Sequence, residues 1–236
     1  MFYRRILEAV NNTVAEFRKR EDLECVFGEA VVKFTDAEDR LYDMFHEAGL
    51  SRKPKMTYRP GNTVITHYVP IVEKPCDMLR AHFESIWLAM EINRSIKGVF
   101  RDWGRLTSYT SCLVEWDEER HCYEWDDRIA AYVAGIGDIG PAGSLIVEGS
   151  YAGRASSILV DISLADKVEH EDVENVVATY LEKAYYAPVS VPAELISACP
   201  GNAISDRSID RKRCQEYCAS INSYTPCPEV CGKCFR

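Results

Sequence analysis

The C-terminal segment of the chain concentrates the residues best suited to bind a metal. The chain has 236 residues and ten cysteines, and six of the ten lie from Cys199 onward. These six are Cys199, Cys214, Cys218, Cys227, Cys231 and Cys234. Met1–Glu8 reaches a charged residue before the apolar core of a signal peptide forms, so we expect a cytoplasmic chain with reduced thiols. Metal ligation is therefore a better explanation of the cluster than disulfides.

The spacing of four of these cysteines is typical of an iron–sulfur site. Cys199 precedes a proline, as does the last ligand of a ferredoxin-type run, and Cys231 and Cys234 form a Cys-x-x-Cys pair. Cys214 lies between them and supplies a fourth thiolate. Cys199, Cys214, Cys231 and Cys234 therefore predict one 4Fe–4S cluster.

Zinc is the alternative metal. Cys214 and Cys218 are spaced to bind zinc together with Cys231 and Cys234, and Cys227 can replace one of these ligands. This set leaves Cys199 unused, so we rank zinc second. The third interpretation is that these cysteines are reduced, buried thiols with no metal.

The overall charge excludes some classes of partner. The chain carries 37 acidic and 28 basic residues, a formal net charge of −9, which disfavours bulk binding of nucleic acid. No apolar run approaches the roughly 20 residues that a membrane-spanning helix needs. We expect neither nucleic acid nor a membrane as a partner.

Helical and strand-like patterns alternate before the cysteine-rich segment. Apolar residues at steps of three and four predict helices over 1–22, 77–96, 126–133 and 173–183. β-branched or alternating runs predict strands over 30–34, 63–69, 106–116, 144–148 and 155–162, with Pro70 ending the second strand and Gly153 in a turn before the last. This pattern predicts a mixed α/β layered domain over 1–188 and a small Cys-rich unit over 189–236.

A glycine-rich loop over 135–143 is the second candidate binding element. Gly135 and Gly137 begin it, and glycines let backbone N–H groups approach a ligand closely. Arg154, downstream, is placed to face a phosphate or carboxylate. The alternatives are a turn-rich surface loop and a solvated arginine. The four tryptophans, Trp125 among them, fit core packing as well as a pocket lining.

Several segments, taken in order, resemble a known family over roughly residues 58–236. They are RPGNTVI at 59–65, DRIAAYVAGIGDIG at 127–140, LIV at 145–147, AGRASSILVD at 152–161, ACPGNAI at 198–204 and VCGKC at 230–234. The chain resembles the epoxyqueuosine reductase and reductive dehalogenase group, and in particular its short iron–sulfur members. The resemblance implies a nitroreductase-like α/β domain and a ferredoxin-like C-terminal unit. In larger relatives the fold holds a cobalamin beside two 4Fe–4S clusters.

The sequence departs from this family at two places. Val189, Pro192 and Leu195 stand where the family has three further cysteines, and no Cys-Pro follows Cys234, so the ligands of one cluster are absent. The four cysteines carried over by position are those of the other cluster. His121 stands where the epoxyqueuosine reductases have the acid that protonates the substrate. A histidine there can donate a proton near pH 7, although a solvated surface histidine fits the same position.

The leading functional hypothesis is an oxidoreductase in which one 4Fe–4S cluster passes single electrons to a substrate or cofactor over the glycine-rich loop. The resemblance makes that cofactor a cobalamin, and the partner an electron donor protein or a small-molecule reductant. Two alternatives stay open: a non-enzymatic module that binds a corrinoid or cluster, and a flavin reductase with a structural zinc tail. The departures predict that epoxyqueuosine is not the substrate.

Overall fold

The computed structural model of the chain describes residues 2–105, 107–109, 116–117, 122–123, 125–140, 144–168, 170, 172–185, 193–205, 209–221 and 231. The helices in this part of the chain are α1 (Phe2–Phe17), α2 (Arg40–Glu47), α3 (Pro54–Thr57), α4 (Met78–Arg101), α5 (Asp127–Val133), α6 (Val173–Tyr185), α7 (Ala193–Ala198) and α8 (Arg211–Ile221). The strands are β1 (Val31–Asp36), β2 (Thr63–Ile71), β3 (Thr107–Tyr109), β4 (Trp116–Asp117), β5 (Cys122–Tyr123), β6 (Asp138–Ile139), β7 (Leu145–Ile146) and β8 (Ala152–Val160). The mixed α/β composition predicted from the sequence is confirmed.

A four-stranded antiparallel sheet forms the centre of the fold. Its strand order is β1-β2-β8-β3, and β2 pairs with β8 along its whole length, from Thr63 opposite Val160 to Ile71 opposite Ala152. β3 pairs only with the C-terminal end of β8, where Tyr109 lies opposite Ile158. Two short hairpins, β4-β5 and β6-β7, lie outside this sheet. β2 is buried on both faces because helices pack on either side of it.

The first helical layer consists of α1 and α4. α1 is amphipathic and buries Ile6, Val10, Val14 and Phe17, which share one face at helical spacing. α4 begins at Asp77, whose side chain caps the helix by accepting the backbone N–H of Arg80 at 3.0 Å. Both helices contribute to one apolar core against Ile65 and Ile158 of the sheet.

The second layer covers the opposite face of the sheet. α5 packs Ala130 against Val64 and Leu159. The side chains of these two strand residues point to the opposite face of the sheet from those of Ile65 and Ile158, which face α4. α6 packs outside α2 through Val177 and Tyr180, against Leu41 and Phe45. The sheet therefore lies between two helical layers, and α5 reaches it directly.

The prediction that Pro70 ends the second strand is wrong. β2 continues through Pro70 to Ile71. In an antiparallel ladder, a hydrogen-bonded residue directs its N–H and its C=O toward the same neighbouring strand. The Pro70 C=O accepts the Gly28 N–H at 2.7 Å, so the missing N–H of Pro70 would also face the segment that precedes β1. β1 begins only at Val31, so the N–H that proline lacks costs the sheet no β1 ladder bond.

The predicted turn at Gly153 is also wrong, because Gly153 lies inside β8, opposite Pro70. A Cβ at this position would collide with the ring of Tyr68 and would lie 2.6 Å from the Val69 carbonyl oxygen. Glycine is therefore needed for close packing and not for a turn. The chain turns earlier, at Gly149, which has a φ of +76°.

No helix among the described residues combines the length and apolar character that crossing a bilayer requires. The longest, α4, carries charged residues along most of its length.

Candidate functional site

Asp127, at the start of α5, forms the centre of a polar cluster between this helix and β8. Its Oδ1 accepts the hydroxyl of Ser157 at 2.5 Å and the indole N–H of Trp125 at 3.2 Å. The same indole N–H lies 2.9 Å from Ser157 Oγ. Two side chains, one from the loop that precedes the helix and one from the strand, therefore donate to one carboxylate oxygen of the helix.

The environment of Asp127 changes its acidity. Desolvation by the surrounding protein raises the pKa of the carboxyl to about 7, and the negative charge of Asp126 adds to the effect. The hydrogen bond from Ser157, the positive charge of Arg154 and the bond from Trp125 act in the opposite direction. A carboxyl with this pKa exchanges protons near neutral pH, as a general acid or base requires.

Arg128, the next residue of α5, is held in place by Asp126. Its guanidinium donates to both oxygens of Asp126, from Nε to Oδ1 at 2.9 Å and from Nη2 to Oδ2 at 2.6 Å. Asp126 is also the N-cap of α5 and accepts the backbone N–H of Arg128. Because this pair is bidentate and mostly buried, the guanidinium has a fixed position.

Arg128 borders a small cavity between α4, α5 and the part of β8 that β3 does not cover. The cavity has a volume of about 50 Å³ and is lined by Ile71, Met78, Ala81, His82, Ser85, Arg128, Leu145, Ala152, Gly153 and Ala155. It is large enough for a few water molecules. Cofactor sites are typically about 300–1,000 Å³, so neither a flavin nor a corrinoid fits inside it.

A second polar chain crosses the core on the α4 side of the sheet. His67 Nε2 lies 2.9 Å from Asn93 Oδ1, and Asn93 Nδ2 donates to Ser156 Oγ at 2.9 Å. His67 is fully buried, and this desolvation lowers its pKa to about 4 against the opposing bond to Asn93. The imidazole is therefore neutral at physiological pH, which suits a structural role.

The structure describes the glycine-rich loop except for residues 141–143. At both predicted glycines, the backbone angle or the close packing of the protein itself explains why the residue is glycine. Gly135 follows α5 with a φ of +64°, and its missing Cβ would point into open space. A Cβ on Gly137 would collide with the carbonyl oxygen of Ile146 and lie 2.8 Å from Val147 Cγ2. The loop thus approaches its own hairpin partner β7 closely, and its role in binding a cofactor stays a prediction.

The structure brings one further predicted residue to the cluster. Arg154 lies in β8, opposite Val69 of β2, and its charge stabilises the ionised form of Asp127. His121, the predicted acid, is outside the described residues. The role of Arg154 in binding a phosphate or carboxylate stays a prediction.

The C-terminal cysteines are described in part. Cys199 begins a turn in which the backbone N–H of Ala203 donates to Cys199 Sγ at 3.3 Å. Cys214 lies in the first turn of α8, and Cys218, one turn later, is completely buried. Cys227 and Cys234 lie outside the described residues. Within the described part of the chain, no three His, Cys, Asp or Glu side chains converge as a metal site.

The sequence patterns predict neither the pairing of Asp127 with Ser157 nor the contact that Trp125 makes with them. The available signal was an Asp-Asp-Arg run at a helix start followed later by two serines in a buried strand. Cross-strand and helix–sheet distances are needed to see that these groups meet. A single sequence does not supply those distances.

Comparisons with known proteins gave matches among solved structures only. No protein-family model matches the chain. No curated protein matches it either.

Three of the similar solved structures are epoxyqueuosine reductases. One, from Streptococcus thermophilus, is 17% identical with a TM-score of 0.45, and the match covers 93% of this chain and 66% of that one. A second, from Bacillus subtilis, is 15% identical with a TM-score of 0.47, covering 98% and 68%. A third, with an epoxyqueuosine-modified tRNA-Tyr stem loop, is 14% identical with a TM-score of 0.48, covering 98% and 68%. The chain spans about two thirds of the length of these reductases.

Proposed function

We propose that this chain is an iron–sulfur oxidoreductase that passes single electrons from one 4Fe–4S cluster to a substrate. Cys199, Cys214, Cys231 and Cys234 would hold the cluster. The observation that carries the proposal is the hydrogen bond from Ala203 N–H to Cys199 Sγ at 3.3 Å. Backbone N–H groups that donate to ligand sulfurs are a standard feature of iron–sulfur sites, where they tune the reduction potential.

The turn that carries Cys199 is packed against the helix that carries Cys214. A Cβ on Gly201 would lie 2.8 Å from Tyr217 Cβ, so the turn touches α8 closely. The Asp210 N–H donates to the Ala203 carbonyl at 2.7 Å and fixes the start of α8 relative to the turn. Two of the four proposed ligands therefore belong to one packed unit. This packing supports a separate C-terminal unit over 189–236, following a nitroreductase-like domain over 1–188.

The chemistry combines two parts of the chain. When bound, a 4Fe–4S cluster supplies one-electron transfer. A substrate that accepts electrons commonly accepts protons too, and Asp127, with its pKa of about 7, is suited to donate them. Electrons would come from a donor protein or a small-molecule reductant. His121 stays the alternative proton donor.

The proposal is tested by anaerobic purification followed by iron, acid-labile sulfide and zinc analysis. We expect about four irons and four sulfides per chain, as a 4Fe–4S cluster requires. An electron paramagnetic resonance signal should follow reduction with dithionite. Stoichiometric zinc without sulfide contradicts the proposal.

Cysteine variants distinguish the ligand sets. Cys199→Ser, Cys214→Ser and Cys234→Ser should each lose most of the iron. Cys76→Ser is the matched control, because Cys76 is an exposed thiol outside the C-terminal segment. Cys218→Ala should keep the iron, since Cys218 is fully buried and outside the proposed set. Loss of metal in Cys218→Ala with retention in Cys199→Ser favours zinc.

A further inference from the structure

Cys199 and Cys214, two of the proposed cluster ligands, are joined by a continuous series of hydrogen bonds. The Ala203 N–H donates to Cys199 Sγ at 3.3 Å, and the carbonyl of the same alanine accepts the Asp210 N–H at 2.7 Å. The Asp210 carbonyl in turn accepts the Cys214 N–H at 3.0 Å. Two residues, Ala203 and Asp210, therefore connect one cysteine to the other. The position of Cys214 relative to Cys199 depends on how firmly these two residues are held.

Ala203 is held by apolar packing. It is buried, and so are Ile204 and Ile209, which form an antiparallel bridge with each other. Ile209 directly precedes Asp210, so this bridge brings Asp210 next to Ala203. Because burial of the three apolar side chains stabilises this arrangement, the Ala203 end of the series has a fixed position.

Asp210 is held in a different way, because its side chain is half exposed. Its Oδ1 accepts the backbone N–H of Arg213 at 3.0 Å. Asp210 directly precedes the first residue of α8, so this bond has the geometry of a helix N-cap. The ion pair between Asp210 and Arg213 is exposed and contributes little. The cap therefore holds Asp210 at the start of the helical turn that carries Cys214.

We infer that Asp210 is a positioning residue that fixes Cys214 relative to Cys199 when both bind the 4Fe–4S cluster. This inference rests on the proposed function. Without the cap, the first turn of α8 loosens, and the Asp210 backbone no longer holds the Ala203 carbonyl and the Cys214 N–H in place. The bond from the Ala203 N–H to Cys199 Sγ weakens as a result, because one residue makes both bonds. Asp210 therefore acts on the cluster through the backbone.

Two properties of the cluster should respond to the loss of this cap. Replacing a residue that holds a metal ligand in place typically lowers metal affinity 10–100-fold. We therefore expect Asp210→Ala to lose iron at about one tenth of the chelator concentration that the wild type withstands. A hydrogen bond to a ligand sulfur favours the reduced cluster, which is more negatively charged. Weakening the bond to Cys199 should thus lower the reduction potential.

The negative charge of Asp210 is a separate influence on the potential, and it has the opposite sign. Removing this charge favours the reduced cluster and raises the potential. Asp210→Asn removes the charge and keeps an oxygen that accepts the Arg213 N–H, since asparagine caps helices as well as aspartate does. Asp210→Asn should retain iron like the wild type, and its potential should lie above that of Asp210→Ala. Because both variants lack the charge, the difference between them measures the cap alone.

The test compares full chains after anaerobic purification, by chelator titration and by redox titration followed with electron paramagnetic resonance. Asp77→Ala is the matched control, because Asp77 caps α4 through an equivalent bond, from the Arg80 N–H at 3.0 Å. This control removes a cap outside the C-terminal unit and should leave iron retention and the potential unchanged. Hydrogen exchange followed by mass spectrometry adds a readout of position. Peptides over 209–217 should exchange faster in Asp210→Ala than in Asp210→Asn.

Three results overturn the inference. Equal iron retention and equal potentials in Asp210→Ala and Asp210→Asn would do so while leaving the cluster and the proposed function in place. Equal iron loss in Asp77→Ala and Asp210→Ala would also do so, because the effect would then be one of general stability. A wild-type chain without iron and sulfide overturns the proposed function, and this inference falls with it.

Discussion

Ser157 in β8 donates its hydroxyl to the carboxylate of Asp127 at the start of α5, across 2.5 Å. This bond connects the central sheet directly to the helix that leads into the glycine-rich loop. It also places a carboxyl group with a pKa of about 7 next to a strand that is otherwise apolar on this side. The pair therefore couples local stability to the protonation of one residue.

Asp127→Asn should change how stability depends on pH. The pKa of Asp127 is raised from about 3.8 to about 7 in the folded chain, so the folded state binds more protons than the unfolded state between these values. The contribution of Asp127 to stability is therefore present at low pH and decreases as the pH rises toward 7. A shift of about three units corresponds to at most about 4 kcal/mol. The asparagine variant should lack this decrease.

Urea unfolding at several pH values measures the effect. Asparagine retains an acceptor oxygen for Ser157 and Trp125, so the variant should fold. Relative to wild type, Asp127→Asn should become more stable at pH 8 than at pH 5. An identical pH profile for Asp127→Asn and wild type would show that this carboxyl has an ordinary pKa in the fold.

His67 should produce the opposite pH dependence. Burial lowers its pKa to about 4, so the unfolded state binds more protons between pH 4 and 6.5, and stability falls as the pH falls through this range. The effect is limited to about 3 kcal/mol. His67→Gln, which keeps a donor for Asn93, should remove it. By nuclear magnetic resonance the wild-type ring should show no titration above pH 5, and a midpoint near 6.5 contradicts this prediction.

The glycine positions should respond differently to alanine. Gly137→Ala forces a Cβ against the Ile146 carbonyl, so the hairpin must shift, and we expect a loss of about 2–3 kcal/mol. Gly135→Ala places a side chain at positive φ in open space and should cost only about 1–2 kcal/mol. Gly98→Ala in α4 is the control, because its Cβ meets nothing within 4 Å, and it should stabilise the chain by about 0.5–1 kcal/mol. Thermal unfolding of the three variants gives the order, and a neutral Gly137→Ala would disprove the close approach.

Glu84 should be more important for stability than other acidic residues of α4. Its carboxylate accepts the backbone N–H groups of Glu24 and Cys25 at 2.8 and 2.9 Å and pairs with Arg80 at 3.0 Å. Glu84→Ala leaves two backbone donors without this acceptor, and we expect a loss of about 2–4 kcal/mol. Glu91→Ala removes only an exposed ion pair with Arg94 and should cost less than about 0.5 kcal/mol. Equal losses in urea unfolding would contradict the structural role of Glu84.

Much of the fold follows from local patterns in the sequence. The apolar spacing of α1, α4 and α5 predicts these helices closely, because each buries one face at a step of three or four residues. Gly135 follows α5 and has the positive φ that is common for a glycine just past the end of a helix. Pro70 and Gly153 are exceptions, since the partner of each residue across the sheet decides its role.

The candidate site is harder to predict, because its residues are distant in sequence. Asp127 and Ser157 are 30 positions apart, and nothing local to either one indicates that they touch. The perturbed acidity of Asp127 arises from the protein around it, so residue type alone does not show it. The cysteine spacing, by contrast, is a local signal and led directly to a testable ligand set.

The chain of His67, Asn93 and Ser156 also defines how β2 aligns with β8. β2 is buried on both faces, so the usual alternation of apolar and polar residues does not distinguish one alignment from another. If β2 shifted by two residues along β8, the same side chains would still face α4. Ile65 or Val69 would then lie opposite the Asn93 amide in place of His67. The amide and the imidazole would then both lose a partner inside the protein, at a cost of about 1–3 kcal/mol for each group. A single buried polar chain therefore selects one strand alignment among several that hydrophobicity alone would accept.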